Sequence, residues 1–392
     1  MIWTIAWRNL WRNKRRSIII LISVIIGVAA LMLNDSLNSG FITQMISNQV
    51  NSHTSDIQIH RKGYSDNKII QNFMPEPARA EQSAAKCPLV KYYSRRTLVF
   101  GLLSSAASSA GTTIVGIEPE KEKNITFIKK SIVKGRYLTG KPNEIVIGGK
   151  MAEKLEVGLG DKVVTVASSV NGEVTNELFR VVGIFKTGSS EFDKSYIYIP
   201  FEQSQKMLGL GSSYTEIAII TNSDKDVDEA KRQIAAEIGS GFETLTYKEL
   251  MPLMMSYIEM YKQMIVVFYV IFGCAVLFGI INTMLMAVFE RVHEFGVLMS
   301  IGMKNGKIFI MVIAEALLLG IFGTFIGVIV GFAVYYPLAV NGLDLSIYAE
   351  SLESFGVGKI VYPDMNFDII FNSVIIMPIV TAIGAIYPAR KA

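Results

Sequence analysis

The sequence predicts a membrane protein with four transmembrane α-helices and a large extracytoplasmic α+β domain between the first and second spans. The first observation is composition: the 392 residues are 51% hydrophobic and 18% charged, with a mean hydropathy of +0.37, which is too apolar for an ordinary soluble protein. The second is a set of four uncharged runs of about 18 residues or more, the length that crosses hydrocarbon. These runs are 17–34, 263–289, 316–342 and 369–389. The third is a series of short β-type runs, separated by glycines, between residues 41 and 256.

Basic residues beside the spans predict the orientation, because cytoplasmic loops are rich in Lys and Arg. The N-terminus carries Arg8, Arg12, Lys14, Arg15 and Arg16 with no acid, and the C-terminus ends with Arg390 and Lys391. Residues 337–366 contain four acids against Lys359 alone. Both termini and residues 290–307 are therefore expected in the cytoplasm, with 41–256 outside. This bias explains the net charge of +4, so no nucleic-acid partner is needed.

The first span begins like a secretory signal, with basic residues before an apolar run. The small residues Gly27 and Ala29 lie inside that run, which continues to Leu33. We therefore expect an uncleaved span.

The external region alternates strand-like and helix-like segments, which indicates a compact α+β domain. Strands are predicted from Val and Ile content at 56–60, 144–147, 162–167, 178–185, 196–199 and 216–221. Helices are predicted at 150–155, 201–208 and 226–238, each followed by glycine. The pair Asn171-Gly172 between two strands favours a tight type I′ turn.

A short charged segment follows the second span. The uncharged run stops at Glu290-Arg291, and residues 290–298 place charges at 290, 291 and 294 between apolar residues. As a helix this segment has one polar and one apolar face, so it can lie at the membrane surface and be bound by a cytoplasmic protein.

This segment resembles the helix that docks on the ATPase in permeases of the FtsX/MacB/LolC-LolE superfamily of ABC transporters. The matching positions are Asn282, Glu290, Arg291, Glu294, Gly296, Leu298 and Gly302. His293 and Ser300 are atypical for the family. The resemblance implies that the ATPase-coupling residues are Glu290, Arg291, Glu294, Phe295, Gly296, Leu298 and Gly302.

The family layout implies the domain boundaries. They are a cytoplasmic amphipathic elbow helix at 1–16, spans at 17–40, 257–289, 306–336 and 367–388, a periplasmic domain at 41–256, a coupling helix at 290–305, an external loop at 337–366 and a cytoplasmic end at 389–392. The periplasmic domain would contain a porter part, from 41–90 and 212–250, and a sabre part, near 95–210. Family members often continue past Lys391 with a cytoplasmic tail, so a trimmed C-terminus and a natural end are both compatible with this sequence.

The resemblance is strongest to the lipoprotein-releasing permeases, in residues 56–60 and 278–298. It implies a permease subunit in the bacterial inner membrane that extracts lipoproteins from the outer leaflet by mechanotransmission. The partners would be an ATPase dimer of the LolD or MacB type, a second permease subunit in a homo- or heterodimer and the lipoprotein cargo. A periplasmic lipoprotein carrier is a further candidate partner. The short Asn171-Gly172 turn argues against carrier recruitment by this subunit. Alternatives are MacB-like export of peptides or small molecules and an FtsX-like signalling scaffold.

No enzymatic motif accompanies this transport pattern. The run around Lys150 lacks the glycine and hydroxyl residue of a phosphate-binding loop, since Glu144 and Met151 occupy those positions. We therefore expect no cofactor in this chain, with ATP and Mg²⁺ held by the partner ATPase. No metal site is expected, because His53, His60 and His293 are interpreted as isolated surface residues.

Four further sets of residues have candidate roles. Trp3, Trp7 and Trp11 lie on one helical face and fit an interface anchor or an elbow that transmits ATPase motion. Gly323, Gly327 and Gly331 form a smooth strip for a helix of this subunit or of a second one. Glu315 is either a functional intramembrane carboxylate or one that reaches the interface. A methionine cluster could line a lateral opening for acyl chains or simply pack; its members are Met251, Met254, Met255, Met260 and Met264.

Overall fold

A computed structural model describes residues 2–12, 14–354 and 356–392; the side chains of Ile2, Ile5, Trp11, Arg16, Glu350 and Ser354 lie outside this description. The helices are α1 (Ile2–Arg12), α2 (Lys14–Gln49), α3 (Ala78–Lys86), α4 (Pro119–Glu122), α5 (Gly149–Leu155), α6 (Ser190–Ser195), α7 (Phe201–Leu208), α8 (Val227–Ile238), α9 (Tyr247–Leu250), α10 (Pro252–Glu290), α11 (Val292–Ser300), α12 (Asn305–Asn341), α13 (Ala349–Ser354) and α14 (Phe367–Lys391). The strands are β1 (Ile57–Arg61), β2 (Val90–Ser104), β3 (Ser109–Ile117), β4 (Ile132–Gly135), β5 (Glu144–Gly148), β6 (Lys162–Ser168), β7 (Val174–Phe185), β8 (Tyr196–Pro200), β9 (Glu216–Thr221), β10 (Phe242–Thr246), β11 (Leu343–Asp344) and β12 (Ile360–Val361).

The chain divides into two compact units. A membrane unit comprises residues 1–43, 256–344 and 360–392, and an α+β unit comprises residues 44–255 and 345–359. Within the described residues, four helices are long and apolar enough to cross a membrane: Ser17–Thr54, Pro252–Glu290, Asn305–Asn341 and Phe367–Lys391. The predicted fold class is confirmed. The first of these helices extends beyond the expected span of 17–40, because α2 continues through polar residues to Gln49.

Glycines allow close helix packing in the membrane unit. An added Cβ at Gly323 would lie 2.8 Å from Val24, and one at Gly327 would lie 2.8 Å from Val28. An added Cβ at Gly331 would meet Met32 at 3.0 Å. The glycine strip of α12 therefore contacts α2 of the same chain, and no second subunit is required to occupy it.

The strands of the α+β unit form one mixed sheet. Its strand order is β10-β1-β9-β2-β3-β8-β5-β7-β4, and β6 pairs with both β2 and β7. All six predicted strands and all three predicted helices are present, with ends shifted by a few residues. The long hairpin of β2 and β3 was not predicted from the sequence, because arginines and serines interrupt its apolar pattern.

The hairpin between β6 and β7 differs in turn type from the prediction. The amide of Gly172 donates to the carbonyl of Ser169 (3.0 Å), and the amide of Ser169 donates to the carbonyl of Glu173 (2.8 Å). Gly172 has a φ of +82°, whereas Asn171 is not among the residues with positive φ. A type I′ turn needs positive φ at both central residues, so that prediction is wrong; the contacts fit a type I turn followed by a glycine bulge.

A buried network of charged side chains lies inside the α+β unit, around the fully buried Arg96. Its guanidinium contacts carboxylate oxygens of Glu122 at 2.7 Å and Glu216 at 2.8 Å. Nε2 of His60 lies 3.3 Å from Glu216, and His53 supplies a backbone carbonyl to Arg96. The interpretation of His53 and His60 as surface residues is therefore wrong. Both are buried: the His60 ring is a polar partner of the buried Glu216 carboxylate, and the His53 ring packs against Tyr196 with centroids 4.8 Å apart.

Candidate coupling site

One residue separates the helix of the second span from the predicted surface helix. α10 ends at Glu290, and Arg291 stands between α10 and α11 with a φ of −107°. The carbonyl of Arg291 accepts a hydrogen bond from the amide of Phe295 at 3.0 Å, which begins α11. Gly302 has a φ of +95° after the end of α11, where a residue with a side chain would be strained. The predicted surface helix is therefore a separate element with defined ends.

Two residues of this segment point into the membrane unit. The side chain of Phe295 is 1% exposed, and Arg291 is 7% exposed. The guanidinium carbon of Arg291 lies 5.1 Å from the ring centroid of Phe295, within cation–π distance. Both residues were predicted to take part in coupling to the ATPase. Their burial places them at the base of α11, on the side that packs against the spans.

Arg291 is paired with a carboxylate of the third span. Its Nη1 donates to both carboxylate oxygens of Glu315, at 3.1 and 3.0 Å. Nδ2 of Asn9 donates to the same carboxylate at 2.6 Å. Glu315 is only 7% exposed. Of the two sequence interpretations, an internal role fits this geometry, since the carboxylate is buried and joins α1, α11 and α12.

Glu294 joins the same network from the other side. Nε of Arg291 donates to Glu294 at 3.1 Å, and Nη2 of Arg12 donates to both oxygens of Glu294. The hydrogen bond from Arg12, assisted by Arg291, holds the pKa of Glu294 below its usual value. The carboxylate of Glu294 is thus paired with arginines of the same chain. We call the five residues Asn9, Arg12, Arg291, Glu294 and Glu315 the ionic cluster.

The outer face of α11, with Ile301 directly after its last residue, exposes several apolar side chains. Exposed fractions are 52% for Val292, 47% for Val297 and 79% for Ile301. Gly296 is exposed among them, and an added Cβ there would meet open space. The sequence pattern assigned these three residues no separate role. Helical periodicity does not distinguish them from the buried residues, because Val292 lies three positions from Phe295 and Ile301 three positions from Leu298.

A cleft opens beside this face, between α1 and α11. Its volume is about 390 Å³. The lining includes Asn9, Arg12, His293, Glu294, Val297 and Leu298. The atypical His293 is exposed at its edge, so the cleft combines charged, polar and apolar groups that a protein partner could contact.

The other candidate residues are spread along the helices. Met254 and Met255 are half-buried at the start of α10, and Met251 accepts a weak hydrogen bond from Thr54 at 3.8 Å. Met260 and Met264 are 53% and 47% exposed. On α1, Trp3 is 54% and Trp7 38% exposed. The side chain of Trp11 lies outside the described residues.

Family profiles match nearly the whole chain. The profile of the MacB-like periplasmic core domain matches residues 17–237, which is more than half of the sequence. The chain belongs to the FtsX/MacB superfamily of ABC transporter permeases. A second profile, the FtsX-like permease C-terminal domain, matches residues 266–392 of this permease and includes α11. The suspected resemblance is thereby confirmed.

The known relatives share little sequence identity with this chain, but the similarity extends along most of its length. The permease is 21% identical over 418 residues to the lipoprotein-releasing system transmembrane protein LolE of Haemophilus influenzae, covering 99% of this chain and 96% of that one. It is 23% identical to the uncharacterized ABC transporter permease YknZ of Bacillus subtilis, covering 83% and 84%. Among solved structures, the extracellular domain of YknZ matches 49% of this permease and all of that chain at 17% identity, with a TM-score of 0.36. Family membership implies an ATPase partner and a multi-pass membrane location.

Proposed function

We propose that this permease extracts lipoproteins from the outer leaflet of the bacterial inner membrane, driven by ATP hydrolysed in a partner ATPase dimer. In this proposal the ATPases bind ATP and Mg²⁺, and the permease has no catalytic role. The proposal for the cargo is supported by the similarity to LolE along 99% of the chain. The proposal for the coupling is supported by the ionic cluster.

The cluster provides a mechanical route from the ATPase to the spans. A displacement of α11 would move Arg291 and Glu294, which are bonded to Glu315 on α12 and to Arg12 on α1. α12 in turn contacts α2 through its glycine strip, and α2 continues past Thr43 into the α+β unit. The cargo need not cross the membrane in this mechanism, because the helices transmit a displacement from the cytoplasmic segment to the α+β unit and no pore is required.

The outer face of α11 is the proposed contact with the ATPase. Val292, Val297 and Ile301 offer apolar area, and Gly296 allows close approach of a partner. Glu290 and Gly302, which were predicted to take part in coupling, are also exposed. The proposed interface therefore retains Glu290, Gly296 and Gly302 from the family pattern, and assigns Arg291, Glu294 and Phe295 to transmission.

Exposed methionines on α10 are the proposed path for acyl chains. Met260 and Met264 expose flexible, polarizable side chains that adapt to varied apolar partners. A photo-crosslinking amino acid at Met260, in the assembled complex, should capture a lipoprotein in nanodiscs. The matched control is Ile379 on α14, which is 52% exposed against 53% for Met260. Equal lipoprotein capture at both sites, or none at Met260, would contradict the assigned path.

Export of a peptide or small molecule is the second candidate. The pyoverdine export ATP-binding/permease protein PvdT of Pseudomonas syringae is 23% identical over 84% of this chain, covering 51% of that protein. The two candidates differ in what depletion of the permease causes. Lipoproteins retained in the inner membrane support extraction, whereas normal lipoprotein release with loss of a secreted compound would favour export.

A further inference from the structure

A second cavity lies at the basic end of the membrane unit, apart from the coupling cleft. It is lined by α1, the first turns of α2 and the middle of α12, and its volume is about 190 Å³. The lining residues are Trp7, Leu10, Lys14, Ser17, Ile18, Leu21, Leu319, Phe322 and Ile326. This volume is several times the roughly 30 Å³ that one water molecule occupies in the liquid, so part of an acyl chain fits in it.

The interior of this cavity is apolar. Trp7 and Phe322 form one wall, with ring centroids 5.0 Å apart. The hydroxyl of Ser17 donates its hydrogen to the backbone carbonyl of Leu10 at 2.8 Å, so this hydrogen does not point into the cavity. Exposed fractions of 38% for Trp7, 50% for Ile18 and 41% for Phe322 show that the cavity opens at its side. In a bilayer, such an opening faces hydrocarbon.

One charged residue marks the rim. Lys14 lines the cavity and is exposed, and it has no carboxylate partner among the residues that the structure describes. Arg8 and Arg15 are exposed on the same basic segment, which contains no acid. Arg12 differs, because it is already bonded to Glu294. A lysine ammonium binds phosphate as a point charge.

We propose that this cavity binds an anionic phospholipid, with part of one acyl chain between Trp7 and Ile326 and the headgroup phosphate at Lys14. Apolar walls and a bilayer location favour an acyl chain, and the unpaired basic rim favours a negatively charged headgroup over a zwitterionic one. The bound lipid would contact α1, α2 and α12. Because α1 and α12 both belong to the ionic cluster, the lipid would stabilise the position of the helices through which coupling is proposed to pass.

Quenching of Trp7 by brominated lipids tests the site without any transport assay. Trp7 becomes the single tryptophan in the full chain carrying Trp3→Phe and Trp11→Phe. This protein is reconstituted in phosphatidylcholine nanodiscs that contain a small fraction of phosphatidylglycerol or phosphatidylcholine with brominated acyl chains. We expect stronger quenching by brominated phosphatidylglycerol at equal fractions, with an apparent preference of about fivefold, as expected for one basic residue near an anionic headgroup.

Three variants separate the site from general contact with lipid. Lys14→Glu should remove the preference, whereas Lys391→Glu, on the C-terminal end of α14 and outside the cavity, should keep it. Leu21→Phe should reduce quenching by both lipids, because the added ring fills the cavity. Equal quenching by both lipids that Lys14→Glu leaves unchanged would overturn the proposal. Disulfide formation between copies carrying Ile18→Cys, with no quenching, would assign the cavity to a second copy and would also overturn it.

Discussion

Arg291 and Glu315 form a buried ion pair between the coupling segment and the third span, with Nη1–carboxylate distances of 3.0 and 3.1 Å. The two residues are 24 positions apart, and each is 7% exposed. A buried charge without a partner is costly, so each residue requires the other. The pair fixes α11 to α12 at the point where α10 ends.

Removal of one member of this pair should destabilise the protein more than removal of both. Arg291→Met leaves the Glu315 carboxylate buried with Asn9 alone, at an expected cost of about 3 kcal/mol. The double variant Arg291→Met with Glu315→Met should recover most of that loss, because both charges are gone. Thermal unfolding in detergent measures the cycle. Additive losses would show that the two residues do not interact.

The same double variant separates stability from coupling. We expect it to fold and to bind the ATPase, but to lose cargo-stimulated ATP hydrolysis, since the connection from α11 to α12 is absent. Full stimulated turnover in the double variant would mean that the ion pair is needed only for folding.

Gly296 should tolerate a methyl group but not a ring. Gly296→Ala meets open space and gains up to about 1 kcal/mol of helix propensity, so folding and ATPase binding should be preserved. Gly296→Trp should prevent association, because its ring would occupy the surface that the ATPase approaches. Pull-down of the ATPase measures both variants. Normal binding by Gly296→Trp would place the interface elsewhere.

The α+β unit should lose stability on acidification. Burial lowers the pKa of His53 from its usual 6.5 to about 3. Burial opposes ionisation of Glu216, but the hydrogen bond from His60 and the charge of Arg96 outweigh it and lower the Glu216 pKa from 4.5 to about 2. Both groups bind protons more readily in the unfolded state, so their stabilisation is present at neutral pH. The contribution of His53 is lost as pH falls below about 6.5, and that of Glu216 as pH falls below about 4.5.

Melting of the sheet at two pH values tests this prediction. At pH 5, about 1.5 units below the unfolded pKa of histidine, the loss from His53 should be roughly 2 kcal/mol. His53→Gln should lower the dependence on pH, because the amide does not titrate, whereas the exposed His293→Gln is the matched control. Circular dichroism of the sheet measures the transition. An unchanged dependence in His53→Gln would contradict the role of that residue.

Two single cysteines test the proposed orientation. In a background with Cys87→Ala and Cys274→Ala, Asn171→Cys should react with an impermeant reagent applied to whole cells or spheroplasts. Asn305→Cys, at the first residue of α12, should react only after permeabilisation. Both asparagines are exposed, so accessibility within the fold is matched. The opposite labelling pattern would reverse the orientation drawn from Lys and Arg placement.

Local sequence patterns predicted much of the fold. The four apolar runs predicted the spans, and Glu290-Arg291 marked the end of α10 because charges interrupt a long uncharged segment. Val and Ile content predicted six strands. The hairpin of β2 and β3 was missed because Arg96 disrupts the apolar pattern, and its burial depends on Glu122 and Glu216, which lie 26 and 120 positions away.

The candidate site was only partly predictable for the same reason. The family pattern identified Glu294, but its partner Arg12 lies 282 positions away. A pattern within a short stretch of sequence cannot reveal a contact between residues so far apart along the chain. The assignment of Glu294 to the ATPase interface and its pairing with Arg12 predict the same defect in a single variant, so only a paired substitution distinguishes them.

Charge exchange between Arg12 and Glu294 tests most directly whether motion passes through the ionic cluster. Arg12→Glu and Glu294→Arg should each keep the protein folded, since an exposed ion pair contributes only about 0.2–1 kcal/mol. Each should bind the ATPase but lose cargo-stimulated turnover in the reconstituted complex. We predict that the double variant, with the charges exchanged, recovers turnover. Loss of ATPase binding in Glu294→Arg that Arg12→Glu fails to rescue would place Glu294 at the ATPase interface and contradict the proposed route.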